Sequence, residues 1–216
     1  MLDPARCRRL IVYGGSFDPP HRAHVELPFH VAGQINADGV LFVPSGNPPH
    51  KGGPIASGAD RMKMLQLALG DREDAAISSY EIDHHEQASY TANTLQHLRD
   101  TLGEGVELRL LIGADMAAMF YRWRQPRRII ELAEPVVMMR PPLDVERLLA
   151  ALPDELDELE RQAWRQRIVQ CPQIDAASTT LRQSLASGDY QSETVRKLLS
   201  EPVVDYIRRC GLYRVQ

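Results

Sequence analysis

The chain of 216 residues is poor in cysteine and in aromatic side chains, and it has no excess of positive charge. Its three cysteines, Cys7, Cys171 and Cys210, are odd in number and far apart, which favours reduced thiols and predicts a cytoplasmic location. The formal net charge is −4 and the basic residues are scattered, so nucleic acid is not an expected partner. No apolar run approaches the ~20 residues of a membrane span or forms the core of a signal peptide, so a membrane is not an expected partner either.

Short apolar runs rich in valine, isoleucine and leucine alternate with helical patterns along the chain. This order is typical of a parallel sheet with helices on both faces. It predicts an α/β fold, a Rossmann-like doubly wound parallel sheet, in a single domain over 1–216 with a small helical C-terminal subregion over 178–216. The predicted strands are 10–14, 39–44, 76–82, 107–113, 135–139 and 167–170. The predicted helices are 22–35, 59–69, 91–102, 114–121, 126–133, 144–163, 178–187, 192–199 and 202–210, with the acidic residues 153–160 as a solvated helix face.

The first predicted strand runs directly into the sequence GGSFDPPHRAH, residues 14–24, here called the opening motif. Glycines at the end of a buried strand let the backbone approach a ligand, and the helix that follows directs free N–H groups at the same place. The glycines Gly14 and Gly15 therefore predict a phosphate site. His21 and His24 lie one helical turn apart, so both imidazoles can face one ligand and donate hydrogen bonds to phosphoryl oxygens.

The opening motif differs from two common phosphate-binding motifs. It lacks the lysine of a GxxxxGK[ST] P-loop and the third glycine of a GxGxxG fingerprint. Either a GG turn or an HxxH pair alone would be a weak signal, because such histidines are often surface residues or half of a metal site. A metal hydrolase that also uses His84 and His85 is disfavoured, because the glutamate of HExxH is missing and this pair is expected in an exposed turn. No metal site of the protein is predicted.

Two further segments follow predicted strands, at the edge where open α/β sheets bind ligands. The proline-rich loop 44–53 carries His50 and Lys51, which we interpret as contacts for a second phosphate rather than as part of a plain turn. After the fourth strand, Gly113 precedes Asp115, which can cap the next helix or accept hydrogen bonds from ribose hydroxyls.

Three helix starts and ends complete the set of candidate residues. The sequence SYTANTL, residues 89–95, opens a helix that one of its hydroxyls could cap. Ser178 or Thr179 could cap another helix, and Arg182, one turn further, could reach the anion that this helix attracts. Trp123, between two arginines, is by itself more typical of a lid on the core than of a stacking platform.

Together these segments resemble the bacterial nicotinate mononucleotide adenylyltransferase family of the nucleotidylyltransferase superfamily. The superfamily signature, roughly GxFDPxHxGH, matches residues 15–24 except at Ala23, where glycine is usual. The resemblance covers nearly the whole chain, because the family's landmarks recur in order as GGSFDPPHRAH, NPPHK, SYTANTL, IGADMAAMFYRW and STTLR. Ala177 stands where the family usually has serine or a similar small residue, so no phosphate contact is assigned to that position.

The resemblance implies transfer of AMP from ATP to nicotinate mononucleotide, which gives deamido-NAD and pyrophosphate, with Mg²⁺ carried on the triphosphate. It implies that His24 contacts the α-phosphoryl group, His21 the adjoining phosphates and Arg182 the leaving end, and these three are the expected catalytic residues. The implied ATP-binding residues are Gly14, Gly15, Ser16, Phe17, His21, His24, Gly113, Asp115, Ser178, Thr179 and Arg182. The implied mononucleotide-binding residues are His50, Lys51, Thr91, Trp123 and Arg124, with Trp123 stacked on the pyridine ring and backbone N–H groups near Thr91 and Arg124 facing its carboxylate.

Two alternatives stay open at this point. Another nucleotidylyltransferase, such as one acting on phosphopantetheine, would share the opening motif, but SYTANTL and the Trp123 segment speak against it. A non-catalytic nucleotide-binding module would keep the fold and lose turnover, and intact His21, His24, Lys51 and Arg182 speak against that. The sequence favours neither a monomer nor a homo-oligomer.

Overall fold

The computed structural model describes residues 2–47, 55–86, 88–141, 144–175 and 178–214. Its six-stranded sheet is parallel throughout and has the strand order β3-β2-β1-β4-β5-β6. The strands are β1 (Arg9–Gly15), β2 (Gly39–Pro44), β3 (Ala75–Ile77), β4 (Glu107–Gly113), β5 (Glu134–Met139) and β6 (Ile168–Gln170). This order is that of the doubly wound Rossmann sheet, so the predicted fold class is confirmed.

Helices connect and cover these strands. They are α1 (Arg22–Ile35), α2 (Gly58–Leu69), α3 (Tyr80–Asp83), α4 (Thr91–Leu102), α5 (Ala114–Ala118), α6 (Pro126–Leu132), α7 (Val145–Ala150), α8 (Glu158–Gln166), α9 (Ser178–Ala186), α10 (Glu193–Leu198) and α11 (Glu201–Cys210). Short 3₁₀ turns lie at Pro4–Arg6 and Phe120–Arg122. Within the described ranges, none of the helices has the length and apolar character needed to cross a bilayer.

The predicted long helix over 144–163 is wrong, because the chain forms α7 and α8 instead. Pro153 lies between them, and proline cannot supply the N–H that a continuous helix needs. Asp157 then caps α8, accepting a hydrogen bond from the Glu160 N–H at 2.8 Å. Residues 153–157 therefore form a loop and a helix cap, and residues 158–160 begin α8. The prediction of one solvated helix face is wrong, and Leu156 within the stretch is buried.

The predicted third strand is also too long, since β3 ends at Ile77. The following residues, Ser78 and Ser79, turn the chain into the short helix α3, which was not predicted. The predicted helix over 114–121 is shorter as well, because α5 ends at Ala118 before the 3₁₀ turn.

Alternation along β1 sends its side chains to two separate hydrophobic clusters, one on each face of the sheet. Leu10 packs in the cluster with α4 to α8, and Ile11 in the cluster with α1. A third cluster joins α2 to α9, α10 and α11, with Met64 and Leu181 both fully buried in it. The C-terminal helices are thereby fixed beside α2, which follows the second strand, while the organisation as a single domain stays a prediction.

Candidate functional site

The opening motif lies at the carboxyl end of β1, between Gly15 and the start of α1. Gly15 is needed for close packing, because a Cβ there would lie 3.0 Å from the ring of Phe17. Phe17 adopts a left-handed φ of 48° and its side chain is fully buried against the rings of Tyr13 and Phe42. Only the backbone of Phe17 can therefore face a nucleotide, whereas Gly14 and Ser16 are exposed.

The two histidines of the motif stack on one another, with ring centroids 3.6 Å apart and planes 12° from parallel. The His21 N–H donates to Nδ1 of His24 at 3.4 Å, and Nδ1 of His21 is buried with no hydrogen-bond partner among the described residues. Burial lowers the pKa of His21 to about 4. Burial and the neighbouring His21 hold the pKa of His24 well below its usual value. In the free protein at neutral pH, both imidazoles are therefore uncharged.

We expect the unfolding free energy to fall as the pH drops from about 7 to about 5. His21 has a lower pKa in the folded chain than in the unfolded one, so acid stabilises the unfolded state and folded stability is lost below about pH 6.5. The contribution of His21 over this range is about 2 kcal/mol. Urea unfolding at the two pH values should show a pH effect smaller by about that amount in His21→Asn. An unchanged pH effect in this variant would contradict the buried, neutral state of His21.

Arg182, on α9, reaches the opening motif from the far end of the chain. Its Nη1 donates to the backbone oxygen of Asp18 at 2.9 Å, and its Nη2 lies 3.5 Å from Oγ1 of Thr179. Because α9 begins at Ser178, both Ser178 and Thr179 lie in its first turn. The capping role expected for one of them stays a prediction, and their N–H groups belong to the first turn, which has no partners within the helix.

Gly113 and Asp115 lie at the same edge of the sheet as the opening motif. Tyr13 of β1 is paired in register with Leu111 of β4, so Gly15 and Gly113 end their strands side by side. The cap of α5 is Gly113, so the capping role predicted for Asp115 is wrong. The Asp115 side chain is exposed, and its Oδ1 lies 2.6 Å from the position that a Gly113 Cβ would take, so a side chain at position 113 would collide with the carboxylate.

The residue after Trp123 lies close to the residue before Thr91. The guanidinium of Arg124 stands 4.6 Å from the ring centroid of Tyr90, the residue before Thr91. Trp123 is half-buried and packs on Phe120 with ring centroids 5.4 Å apart, so one part of its indole covers the core and another is accessible.

The start of α4 is held by the loop that follows β2. The cap of α4 is Tyr90, with no side-chain hydrogen bond, so the predicted hydroxyl cap is wrong. The hydroxyl of Ser89 instead accepts from the Asn47 N–H at 3.0 Å, and the Ser89 N–H donates back to the Asn47 oxygen at 2.9 Å. This pair of bonds fixes where Thr91 begins its helix.

The remaining expectations concern two histidine-containing segments, metal binding and the cysteines. His50 and Lys51 lie outside the described residues, so their contacts stay predictions. His84 and His85 lie in an exposed turn after α3, which confirms the predicted turn. Over the described ranges, no group of three or more histidine, cysteine, aspartate or glutamate side chains is arranged to hold a metal ion. The three cysteines are all free.

Sequence reasoning missed several charged residues, of which one is fully buried. Arg61 is 2% exposed and donates through Nη1 to the Ser16 oxygen at 2.8 Å. Glu81 accepts from Oγ1 of Thr94 at 2.7 Å, and burial raises its pKa. Arg140 follows β5 at the same sheet edge, where its charge adds to the lowering of the pKa of both stacked histidines. A single charged residue beside an apolar segment has no periodicity. Only the position of Arg140 directly after a strand indicates that it belongs to the site.

Comparison with known proteins finds similar sequences and a similar fold. The cytidylyltransferase-like family model matches residues 12–184. A probable nicotinate-nucleotide adenylyltransferase of Chromobacterium violaceum is 36% identical over 95% of this chain and 99% of its own length. One from Roseiflexus castenholzii is 37% identical over 94% and 96%. The fold also matches the Plasmodium falciparum nicotinic acid mononucleotide adenylyltransferase complexed with NaAD, at a TM-score of 0.69 and 17% identity, over 95% of this chain and 97% of that one.

Proposed function

The chain belongs to the nicotinate-nucleotide adenylyltransferase family, and from this premise we propose that it transfers AMP from ATP to nicotinate mononucleotide, releasing pyrophosphate. We propose Mg²⁺ as the divalent ion, carried on the phosphate oxygens of ATP, since Mg²⁺ keeps several waters and prefers such oxygens. A cytoplasmic location is proposed on the cysteine usage alone.

The observation that carries the proposal is the meeting of His21, His24 and Arg182 at one edge of the sheet. The stacked imidazoles start α1, and the guanidinium of Arg182 is bonded to the backbone of the same motif. This edge, at the carboxyl ends of β1 and β4, is the place where the strand order reverses and where such sheets bind nucleotides.

The proposed chemistry needs little proton transfer from the protein. The nucleophile is the 5′-phosphate of the mononucleotide, which is already an anion at neutral pH, and its oxygen attacks the α-phosphorus of ATP. The bond to the bridging oxygen breaks, and pyrophosphate leaves with the electron pair. Catalysis then depends on holding the two anions in line and stabilising the charge on the α-phosphoryl group.

We assign that stabilisation to His24, with His21 on the adjoining phosphates and Arg182 on the leaving end. Neutral imidazoles donate one N–H each, and the approach of an anion favours their protonated form. A bound triphosphate should therefore raise the pKa of both histidines from their lowered values and strengthen their donation.

The acceptor pocket is proposed to lie between Thr91 and Trp123, with the pyridine ring stacked on the accessible part of the indole. Backbone N–H groups near Thr91 and Arg124 would then face the carboxylate of the acid mononucleotide. The amide form would present its NH₂ group to those donors and leave buried groups unpaired, so it should be a poorer substrate.

The direct test supplies purified protein with Mg-ATP and one acceptor, and identifies products by chromatography and mass. Nicotinate mononucleotide should give the dinucleotide and pyrophosphate in equal amounts. Phosphopantetheine in the same assay should give no transfer, and transfer to it would favour another nucleotidylyltransferase. ATP binding with no product from any acceptor would favour a non-catalytic module.

Replacing Trp123 with alanine should raise KM for nicotinate mononucleotide about 10-fold and leave KM for ATP within about two-fold. The reason is that stacking of an aromatic ring on a base-like ring is worth about 1–3 kcal/mol, and only the acceptor loses it. Steady-state kinetics with each substrate varied in turn measures both constants. Equal increases in both KM values would place Trp123 outside the acceptor pocket.

A further inference from the structure

Asp18 of the opening motif joins four segments of the chain through hydrogen bonds. Its buried carboxylate accepts from the Ile55 N–H at 2.7 Å, the Ala56 N–H at 3.2 Å and the Tyr213 hydroxyl at 2.7 Å. Its backbone oxygen accepts from Arg182 at 2.9 Å. One residue of the opening motif therefore holds α9, the segment before α2 and Tyr213.

The backbone after α11 places Tyr213 beside Asp18. Gly211 ends α11 in the left-handed conformation, with a φ of 64°, and Tyr213 itself has a φ of 66°. This backbone folds the tyrosine back under the motif, where it is 9% exposed and packs in the cluster of Met64 and Leu181. Burial raises the pKa of its hydroxyl, so the hydroxyl stays protonated and donates a hydrogen bond to Asp18.

We propose that Tyr213 is a positioning residue for the adenylyl transfer: its hydroxyl orients the Asp18 carboxylate, which in turn fixes the opening motif and Arg182. The inference rests on the proposed function of this site. A carboxylate buried with three donors has one orientation that satisfies them all. Without the hydroxyl, that orientation is no longer fixed, and the carboxylate can turn away from the two amide donors that remain.

Such a turn of the carboxylate would affect the groups that are proposed to bind the ATP phosphates. Asp18 lies directly after Phe17 and three residues before His21, and its backbone oxygen is the partner of Arg182. A shift of Asp18 therefore moves groups assigned to the phosphates, while Thr91 and Trp123 on the acceptor side keep their contacts.

Tyr206 offers a matched control. It also belongs to the C-terminal part, is half-buried, and donates its hydroxyl to Oδ1 of Asp60 at 2.8 Å. Asp60 lies in the first turn of α2 and makes no hydrogen bond to the opening motif within the described structure. Tyr206→Phe thus removes a comparable bond without touching Asp18.

The test compares Tyr213→Phe with Tyr206→Phe by steady-state kinetics and thermal unfolding. Both variants should unfold at a lower temperature than the unchanged protein. Tyr213→Phe should lower kcat/KM for ATP about 10-fold, the effect of one hydrogen bond to a charged group, and leave KM for nicotinate mononucleotide within about two-fold. Tyr206→Phe should leave all constants within about two-fold. Equal kinetic losses in the two variants, or none in either, would overturn the proposal.

Amide hydrogen exchange supplies a readout that does not depend on turnover. The N–H groups of Ile55 and Ala56 donate to Asp18, so they should exchange faster in Tyr213→Phe than in Tyr206→Phe, and Asp18→Asn should have the same direction of effect. Unchanged exchange in Tyr213→Phe overturns the coupling even if the unchanged protein makes the dinucleotide. Conversely, if the unchanged protein makes no dinucleotide, the proposed function is wrong. The catalytic role inferred for Tyr213 is then wrong too, independently of the result of hydrogen exchange.

Discussion

Replacing His24 with alanine should reduce kcat about 1000-fold and leave KM for ATP within about three-fold. The loss of one donor aimed at the charge that develops in a transition state typically costs about 100- to 1000-fold, and removal of His24 also exposes its stacked partner His21. ATP would retain the contacts proposed for the α1 N-terminus and for Arg182, so binding should suffer less than turnover. Initial rates of pyrophosphate release at saturating substrates measure the effect.

His30→Ala is the matched control for this variant, because His30 lies on the same helix α1. It is exposed, and its Nε2 lies 3.2 Å from the Gln170 oxygen, away from the motif. This variant should retain kcat within about two-fold. A His24→Ala enzyme with kcat within about five-fold of the unchanged protein would show that His24 does not stabilise the transferred phosphoryl group.

Replacing Arg182 with alanine should lower kcat/KM for ATP about 100-fold or more. Its guanidinium loses the proposed contact with the leaving phosphates, and the Asp18 oxygen loses its bond at 2.9 Å. Arg182→Lys should recover only part of the activity, since an ammonium keeps the charge but not the planar fork that bridges Asp18 and an anion. Steady-state kinetics with ATP varied tests both variants.

Thermal unfolding of Arg182→Ala separates loss of the phosphate contact from loss of the bond to Asp18. If Arg182 were merely structural, the variant would have a lower melting temperature and normal kinetics in the folded fraction. Arg196→Ala, an exposed arginine on α10, should change neither property appreciably. Full recovery of kcat/KM by lysine would contradict the bridging geometry.

Most of the fold was predictable because its strands are short apolar runs that propensity and periodicity both favour. The β1 and β4 cores are examples, since each strand places nearly continuous buried residues between helices. The wrong predictions of helix and strand length arose where single residues ended an element that the surrounding pattern favoured. Pro153 and the Asp157 cap divided a helix that the charge pattern had suggested was continuous, and two serines ended β3 early.

The proposed site was predictable in part, for a different reason. His21 and His24 are near neighbours in sequence, so helical spacing alone places their rings together. The bond of Arg182 to Asp18 joins residues 164 positions apart, and that of Tyr213 joins residues 195 apart. Contacts at such separation depend on how α9 and α11 pack on α2, which no local pattern in the sequence specifies.

The choice of acceptor is measured by kcat/KM of the unchanged protein for nicotinate mononucleotide and for its amide, with saturating Mg-ATP. Loss of a polar match in a pocket built to bind that group costs several kcal/mol, so we predict that the acid is preferred about 100-fold or more, with the dinucleotide and pyrophosphate formed together. Equal values for acid and amide would contradict the acceptor pocket proposed between Thr91 and Trp123, and no transfer to the acid would contradict the account as a whole.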